Sequence, residues 1–220
     1  MMEADYWQGR WRRGETGWHR DEVMPLLQKH WPALRAEKGA SVLVPLCGKT
    51  LDMPWLASAG HKVLGIELAA QAVGEFFAAQ GMQATPRATA DGLLHTAGDI
   101  AILEADAFEV DEATYAHCRH VYDRAALIAL PPELRRRYAE TLYARLPTGC
   151  QALLITLEYP QAQKSGPPFS VTEGEVRALF SPHWEVELLE RRDILDQQPS
   201  FAAQGVTTLH TAVYRMRKQR

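Results

Sequence analysis

Residues 42–68, VLVPLCGKTLDMPWLASAGHKVLGIEL, place a glycine turn and an acid where a cofactor could use both. An apolar run ends in Pro45-Leu46-Cys47-Gly48-Lys49, a helical stretch follows, and a second apolar run closes on Glu67, 19 residues beyond Gly48. A dinucleotide-binding turn spaces three glycines so that backbone N–H groups can approach a pyrophosphate at a helix N-terminus. Here one glycine is present, and Pro45 and Leu46 fill positions where bulk crowds a phosphate. A cofactor with a ribose and a charged amino-acid tail but no phosphate is still served, because backbone groups of the turn can bond its ammonium and carboxylate. S-adenosylmethionine fits that description. At its offset from the turn, Glu67 reads as an acceptor for ribose hydroxyls, with a solvated strand-end carboxylate as the alternative. A third apolar run ends in Asp106-Ala107-Phe108, whose ring either stacks on an adenine or fills the core.

Other reactive side chains are read against plainer roles. Tyr6, Trp7, Trp11 and Trp18 lie in a polar segment with Arg10, Arg12 and Arg13, which reads as an amphipathic cover docked through its tryptophans. His19 in the same segment titrates near neutrality and is a candidate general base or a capping histidine. Cys47 reads as a small packing residue, since methyl transfer from a sulfonium needs no enzyme-bound intermediate. The His-Cys-Arg-His run at 117–120 lacks zinc-site spacing, so no metal is expected. Arg135, Arg136 and Arg137 read as the solvated face of a helix whose Leu134 and Tyr138 point inward. Thr172 and Glu175 have capping-box spacing, just beyond the proline-stiffened loop KSGPPF.

These groups need a scaffold, and its pattern is alternation. Strand signals fall at 41–46, 61–68, 100–106, 118–124, 150–159, 184–193 and 209–216, with helical stretches at 69–81, 131–149 and 170–180. That order predicts an α/β fold: a seven-stranded, mostly parallel Rossmann-like sheet with helices on both faces and an antiparallel pair of C-terminal strands. Ligands of such sheets sit at the carboxyl ends of the strands, where the winding reverses. The site is therefore expected at 45–49, Glu67, 106–108 and Asp123-Arg124. One domain is expected, with residues 1–40 as a helical cover and 41–220 as the core.

With 220 residues, 46% hydrophobic and a formal charge of -3, the chain lacks the basic face that nucleic acid requires. No apolar stretch reaches the ~20 residues needed to cross a bilayer, and no signal peptide is apparent, so a cytoplasmic location is expected. Three widely spaced cysteines read as reduced thiols.

The turn PLCGK, the segment YDRAALIAL (122–130), GPPF (166–169) and the N-terminal YWQGRW with GETGWH together resemble the thiopurine S-methyltransferase family over about Tyr6 to Met216. The resemblance implies S-adenosylmethionine as cofactor and S-methylation of a small thiol, such as a thiopurine or an aromatic or heterocyclic thiol; a monomer is expected. It implies that Trp11 covers the methionine part of the cofactor, that Leu46 touches it through the backbone, that Glu67 binds the ribose, and that Phe108 lies beside the adenine. It places Arg124 at the boundary of cofactor and acceptor, and Pro167 and Phe169 are implied at the acceptor pocket. From the residues themselves, Arg124 reads as the catalytic residue, with Asp123 or His19 as helpers and His19 as a further candidate for the acceptor pocket. Animal members carry a second arginine in the loop before the last strand, whereas residues 196–208 here contain none. That departure leaves room for selenium or tellurium species, hydrosulfide or halide as acceptors. A nicotinamide-dependent oxidoreductase and a non-catalytic S-adenosylmethionine sensor are the readings from other classes; the missing glycines disfavour the first, and the presence of Arg124 and GPPF disfavours the second.

Overall fold

The computed structural model describes residues 4–219. Among them, nine strands build one sheet: β1 (Ser41–Pro45), β2 (Lys62–Glu67), β3 (Thr85–Ala88), β4 (Leu93–Ala97), β5 (Ile100–Glu104), β6 (His120–Arg124), β7 (Gln151–Glu158), β8 (Trp184–Asp193) and β9 (His210–Lys218). The helices are α1 (Ala4–Arg12), α2 (Pro25–His30), α3 (Asp52–Ser58), α4 (Ala70–Ala79), α5 (Glu112–Tyr115), α6 (Pro132–Thr141), α7 (Glu173–Phe180) and α8 (Pro199–Ala203). No helix among the described residues is long and apolar enough to cross a membrane.

The spatial order is β3-β4-β5-β2-β1-β6-β7-β9-β8. The five strands β5, β2, β1, β6 and β7 are parallel, and antiparallel neighbours extend the sheet at both edges. Winding reverses between β1 and β6, so the carboxyl ends of these two strands open the crevice in which ligands bind. Strand pleating sends alternate residues to opposite faces. Val42 and Val44 of β1 and Leu153 and Ile155 of β7 join a core with α2, α3 and α4, while Leu43, Ala152 and Leu154 join a second core with α5, α6 and α7. A sheet buried on both faces explains why its central strands read as continuous apolar runs.

The expected seven strands are all present, and two more were unforeseen. β3 is exposed throughout and contains Pro86, and β4 is at most half-buried. An edge hairpin carries no core-facing pattern, and an edge strand tolerates proline because its N–H is not needed for a ladder. The helix expected over 131–149 ends at Thr141 and continues as a 3-10 turn at Tyr143–Arg145.

The arginine run on α6 corrects a second expectation. Arg136 and Arg137 are exposed, but Arg135 is 2% exposed and shares the helix face of Tyr138 and Ala139. Its guanidinium donates to the carbonyls of Leu130 (2.9 Å) and Ser170 (3.2 Å) and to Glu175 (2.5 Å). Thr172 accepts the Glu175 N–H as an N-cap should, while the Glu175 side chain is bonded to Arg135. Arg135 thus ties α6 to α7 and to the segment between β7 and α7.

β6 carries buried polar contacts on both of its faces. On one, the Tyr122 hydroxyl donates to Asp52 at 2.8 Å, and the other Asp52 oxygen accepts the Met24 N–H at 2.7 Å. On the opposite face, Asp123 is fully buried and accepts the hydroxyls of Tyr138 and Tyr143, both at 2.9 Å. Burial raises the Asp123 carboxyl from its ordinary 3.8 to about 6, the tyrosine hydrogen bonds opposing the shift.

Two outcomes follow. Arg135→Met should destabilise the protein by about 2–3 kcal/mol in denaturant titration, because two buried carbonyls lose their donor, whereas Arg136→Met should stay within about 0.5 kcal/mol. Between about pH 4 and 6 the unfolded chain has released the Asp123 proton while the folded chain retains it, so this group's contribution to stability falls as pH rises. The stability of Asp123→Asn relative to the parent should accordingly increase from pH 4.5 to 7, measured as the difference in Tm at each pH; a difference independent of pH would contradict the assignment.

Candidate active site

The site begins in the turn after β1. The Cys47 N–H donates to the Ile66 carbonyl at 3.0 Å, which fastens the turn to the neighbouring strand. Leu46 and Gly48 both have positive φ, 48° and 53°. For leucine this is a sparsely populated conformation, of the kind held in place at functional turns. Glu67, at the end of β2, accepts the Gly48 N–H through one oxygen and the Ala69 N–H through the other, both at 2.8 Å. The carboxylate is 7% exposed; burial raises its pKa and the backbone bonds oppose this. Two backbone donors leave each oxygen a lone pair for a ligand hydroxyl.

Gly48 is also a point of close approach. A Cβ there would lie 3.3 Å from the Trp11 ring. Trp11, on α1, is 3% exposed and packs with Ala69 and Ala72 at the start of α4. The helix stops at Arg12, and the chain turns back so that the Trp18 ring meets both Trp7 (5.4 Å) and Trp11 (5.7 Å) edge-on. Arg124 then fixes this returning segment by donating to the Trp18 carbonyl at 2.9 Å. Among the described residues no carboxylate lies within 4.0 Å of Arg124; burial lowers its pKa, and Asp52 and Tyr122 act the other way.

These residues line one cavity of about 720 Å³ along the carboxyl ends of the strands. One half lies over β2, β5 and β1, with Glu67, Asp106, Phe108, Leu46, Gly48 and Trp11 in its wall. The other half lies over β7, β9 and β8, walled by Pro167, Pro168, Phe201 and Arg192. Arg124 stands between the two, since β6 separates β1 from β7.

Of the residues singled out in the sequence, Trp11, Leu46, Glu67, Phe108, Arg124 and Pro167 share this cavity. His19 and Phe169 are not in its wall, contrary to expectation. His19 lies behind the turn in a small pocket with Lys49 and Asp52, where burial and then Lys49 lower its pKa. The Phe169 ring turns onto Gly166, 2.5 Å from where a Cβ would stand, and its N–H donates to Ile128 at 2.7 Å. Asp123, expected as a helper, faces the tyrosines of α6 and the following turn instead. Cys47, by contrast, packs as a small residue should: a Cβ on Gly65 of β2 would lie 2.7 Å from its sulfur.

Trp7, read only as a docking residue of the cover, also reaches the wall, and several wall residues escaped sequence reasoning, chiefly Arg20, Lys164, Arg192 and the residues of α8. Pro199 at the first turn of α8 and Gly205 just past its end were the available signal.

The residues on hand fit an adenosyl amino acid: a clamped carboxylate, a left-handed backbone turn, an indole over the turn and an aromatic ring beyond it. Comparison with known proteins agrees. The fold is similar to that of an S-adenosylmethionine-dependent methyltransferase from Anabaena variabilis, with TM-score 0.67 and 13% identity, covering 98% of this chain and 95% of that one. It is also similar to 1,6-didemethyltoxoflavin-N1-methyltransferase of Burkholderia thailandensis, which was solved with S-adenosylhomocysteine bound; the TM-score is 0.63 at 16% identity, over 99% and 87% of the two chains. In sequence, the chain is 58% identical over 217 residues to the thiopurine S-methyltransferase of Xanthomonas campestris pv. campestris strain 8004, covering 99% of this chain and 100% of that one. It is 51% identical over 217 residues to the enzyme of the same name from Bordetella parapertussis, covering 99% of both. The family description "Thiopurine S-methyltransferase" matches residues 2–219. This chain belongs to the thiopurine S-methyltransferase family and is an S-adenosylmethionine-dependent S-methyltransferase.

Proposed function

We propose that the acceptors are small aromatic or heterocyclic thiols, thiopurines among them, bound in the half of the cavity over β7, β9 and β8. The observation that carries this reading is the single continuous cavity with Arg124 at its midpoint, which offers a flat thiol a place beside the cofactor half. Bound in that half, S-adenosylmethionine supplies a methyl group on a positively charged sulfur. The chain's task is to align a sulfur nucleophile, keep it ionised and exclude water.

Glu67 holds the ribose hydroxyls, the backbone at Leu46 meets the amino-acid tail, Phe108 lies beside the adenine, and Trp11 covers the methionine part. The segment 4–24 serves as a cover, tied to the body at Trp18 and Met24. Arg124 acts on the acceptor: a guanidinium beside a thiol favours the thiolate, and in a partly dry cavity its field is weakly screened. Asp123 is committed to two tyrosine hydroxyls, and His19 borders Arg124 in the smaller pocket rather than the main cavity, so an acidic thiol that ionises in solution suits the site best. Pro167 and Pro168 supply an apolar wall for a planar ring.

The test is methyl transfer from labelled S-adenosylmethionine to benzenethiol, a thiopurine, hydrosulfide, selenite and iodide, with a catechol as oxygen control. Transfer to benzenethiol or the thiopurine is expected; transfer confined to the inorganic acceptors would overturn the reading. Arg124→Ala should lower turnover about 100-fold while changing S-adenosylhomocysteine affinity far less, and equal losses would refute its role on the acceptor. Glu67→Gln should weaken S-adenosylhomocysteine binding about tenfold by calorimetry, because its amide nitrogen would face a backbone N–H.

A further inference from the structure

We infer that the far half of the cavity selects acceptors carrying a negatively charged group remote from the reacting sulfur, with Lys164 as a specificity-determining residue. This rests on the thiol reading above and narrows its substrate class.

The charges in the cavity wall are segregated. The acids Glu67 and Asp106 lie in the cofactor half, where Glu67 accepts two backbone N–H groups and Asp106 accepts the Phe108 N–H. The remaining wall acid, Glu22, is paired with Arg20. Over β7, β9 and β8 the charged wall residues are Lys164 and Arg192, both cations. The Lys164 ammonium donates to the Gln204 amide oxygen at 3.0 Å and lies 5.4 Å from the centre of the Phe201 ring; both partners are also wall residues. Among the described residues it has no carboxylate within 4.0 Å. Arg192 is 3.9 Å from Glu190, but that carboxylate is already bonded to Lys29 (2.8 Å) and His30 (2.5 Å). Two cations thus face one end of a cavity with little local compensation, and an ammonium resting on an amide and an aromatic face still has donors to offer. Fully apolar acceptors would leave that end hydrated and unused. An acceptor anion placed there gains charge-assisted hydrogen bonds without disturbing the sulfur at Arg124.

The experiment compares 4-mercaptobenzoate with its methyl ester as acceptors. The ratio of their kcat/KM values removes common effects, and comparing that ratio between proteins cancels the difference in thiol acidity. In Lys164→Met the carboxylate-to-ester ratio should fall about three- to tenfold, entering through KM, a modest factor because the site is partly open to solvent. In the parent enzyme the same ratio should shrink between 50 mM and 500 mM salt. Lys164→Glu should move the ratio in the same direction and further. An unchanged ratio in both variants, or a parent ratio indifferent to salt, overturns the inference while leaving thiol methylation intact. Should no thiol be methylated, the acceptor reading fails separately, and calorimetry of benzoate against benzamide on the S-adenosylhomocysteine-loaded protein still decides whether the anion site exists.

Discussion

The carboxylate of Glu67 is the hinge of this structure. Its two oxygens reach back to Gly48 and forward to Ala69, so one side chain joins the turn after β1, the end of β2 and the start of α4. Those three pieces of backbone form the rim of the crevice where the winding reverses. Backbone bonds to a buried carboxylate are charge-assisted and directional, which suits a rim that must keep one shape. The positive φ at Leu46 is tolerated because Cys47 and Gly48 are both fastened to strand-end groups and leave the turn little freedom to relax.

The middle of the cavity is organised from β6. Tyr122 and Asp123 alternate to opposite faces and each meets a buried polar partner, Asp52 on one side and a tyrosine pair on the other. With the strand pinned from above and below, Arg124 emerges at its end in a fixed place. Asp52 serves a second purpose by receiving the Met24 N–H, and Arg124 receives the segment again at Trp18. The N-terminal segment is therefore held by Asp52 at the start of α3 and by Arg124 at the end of β6, and α1 follows because Trp11 has the surface of α4 to bury against.

Much of this was written legibly in the chain. Central strands such as β1 and β7 are buried on both faces and read as apolar runs, and the acid at the end of β2 stood at a readable distance from its turn. The hairpin β3–β4 was illegible because its edge position imposes no pattern. Arg135 was misread because helical spacing tells which face a residue shares but not whether carbonyls on neighbouring elements can satisfy a charge there. The same limit governed His19 and Phe169: both lie near the site in sequence, yet their rings turn to other neighbours. Lys164 and α8 belong to connections whose path depends on the small cluster of Tyr159, Ile194, Phe201, Val206 and Leu209, contacts that no local period announces.

The contact between Cys47 and Gly65 has one more meaning in a protein that methylates sulfur. Cys47 sits in the turn after β1, and its thiol is of the kind that an S-methyltransferase alkylates. Because β2 has only a hydrogen at position 65, the thiol is drawn down against the sheet, 6% exposed, between Gly65 and the turn. Burial, and then the neighbouring charge of Glu67, hold it well above the usual thiol range. Buried, protonated and outside the wall of the main cavity, this thiol is held away from the thiolate form that alkylation requires.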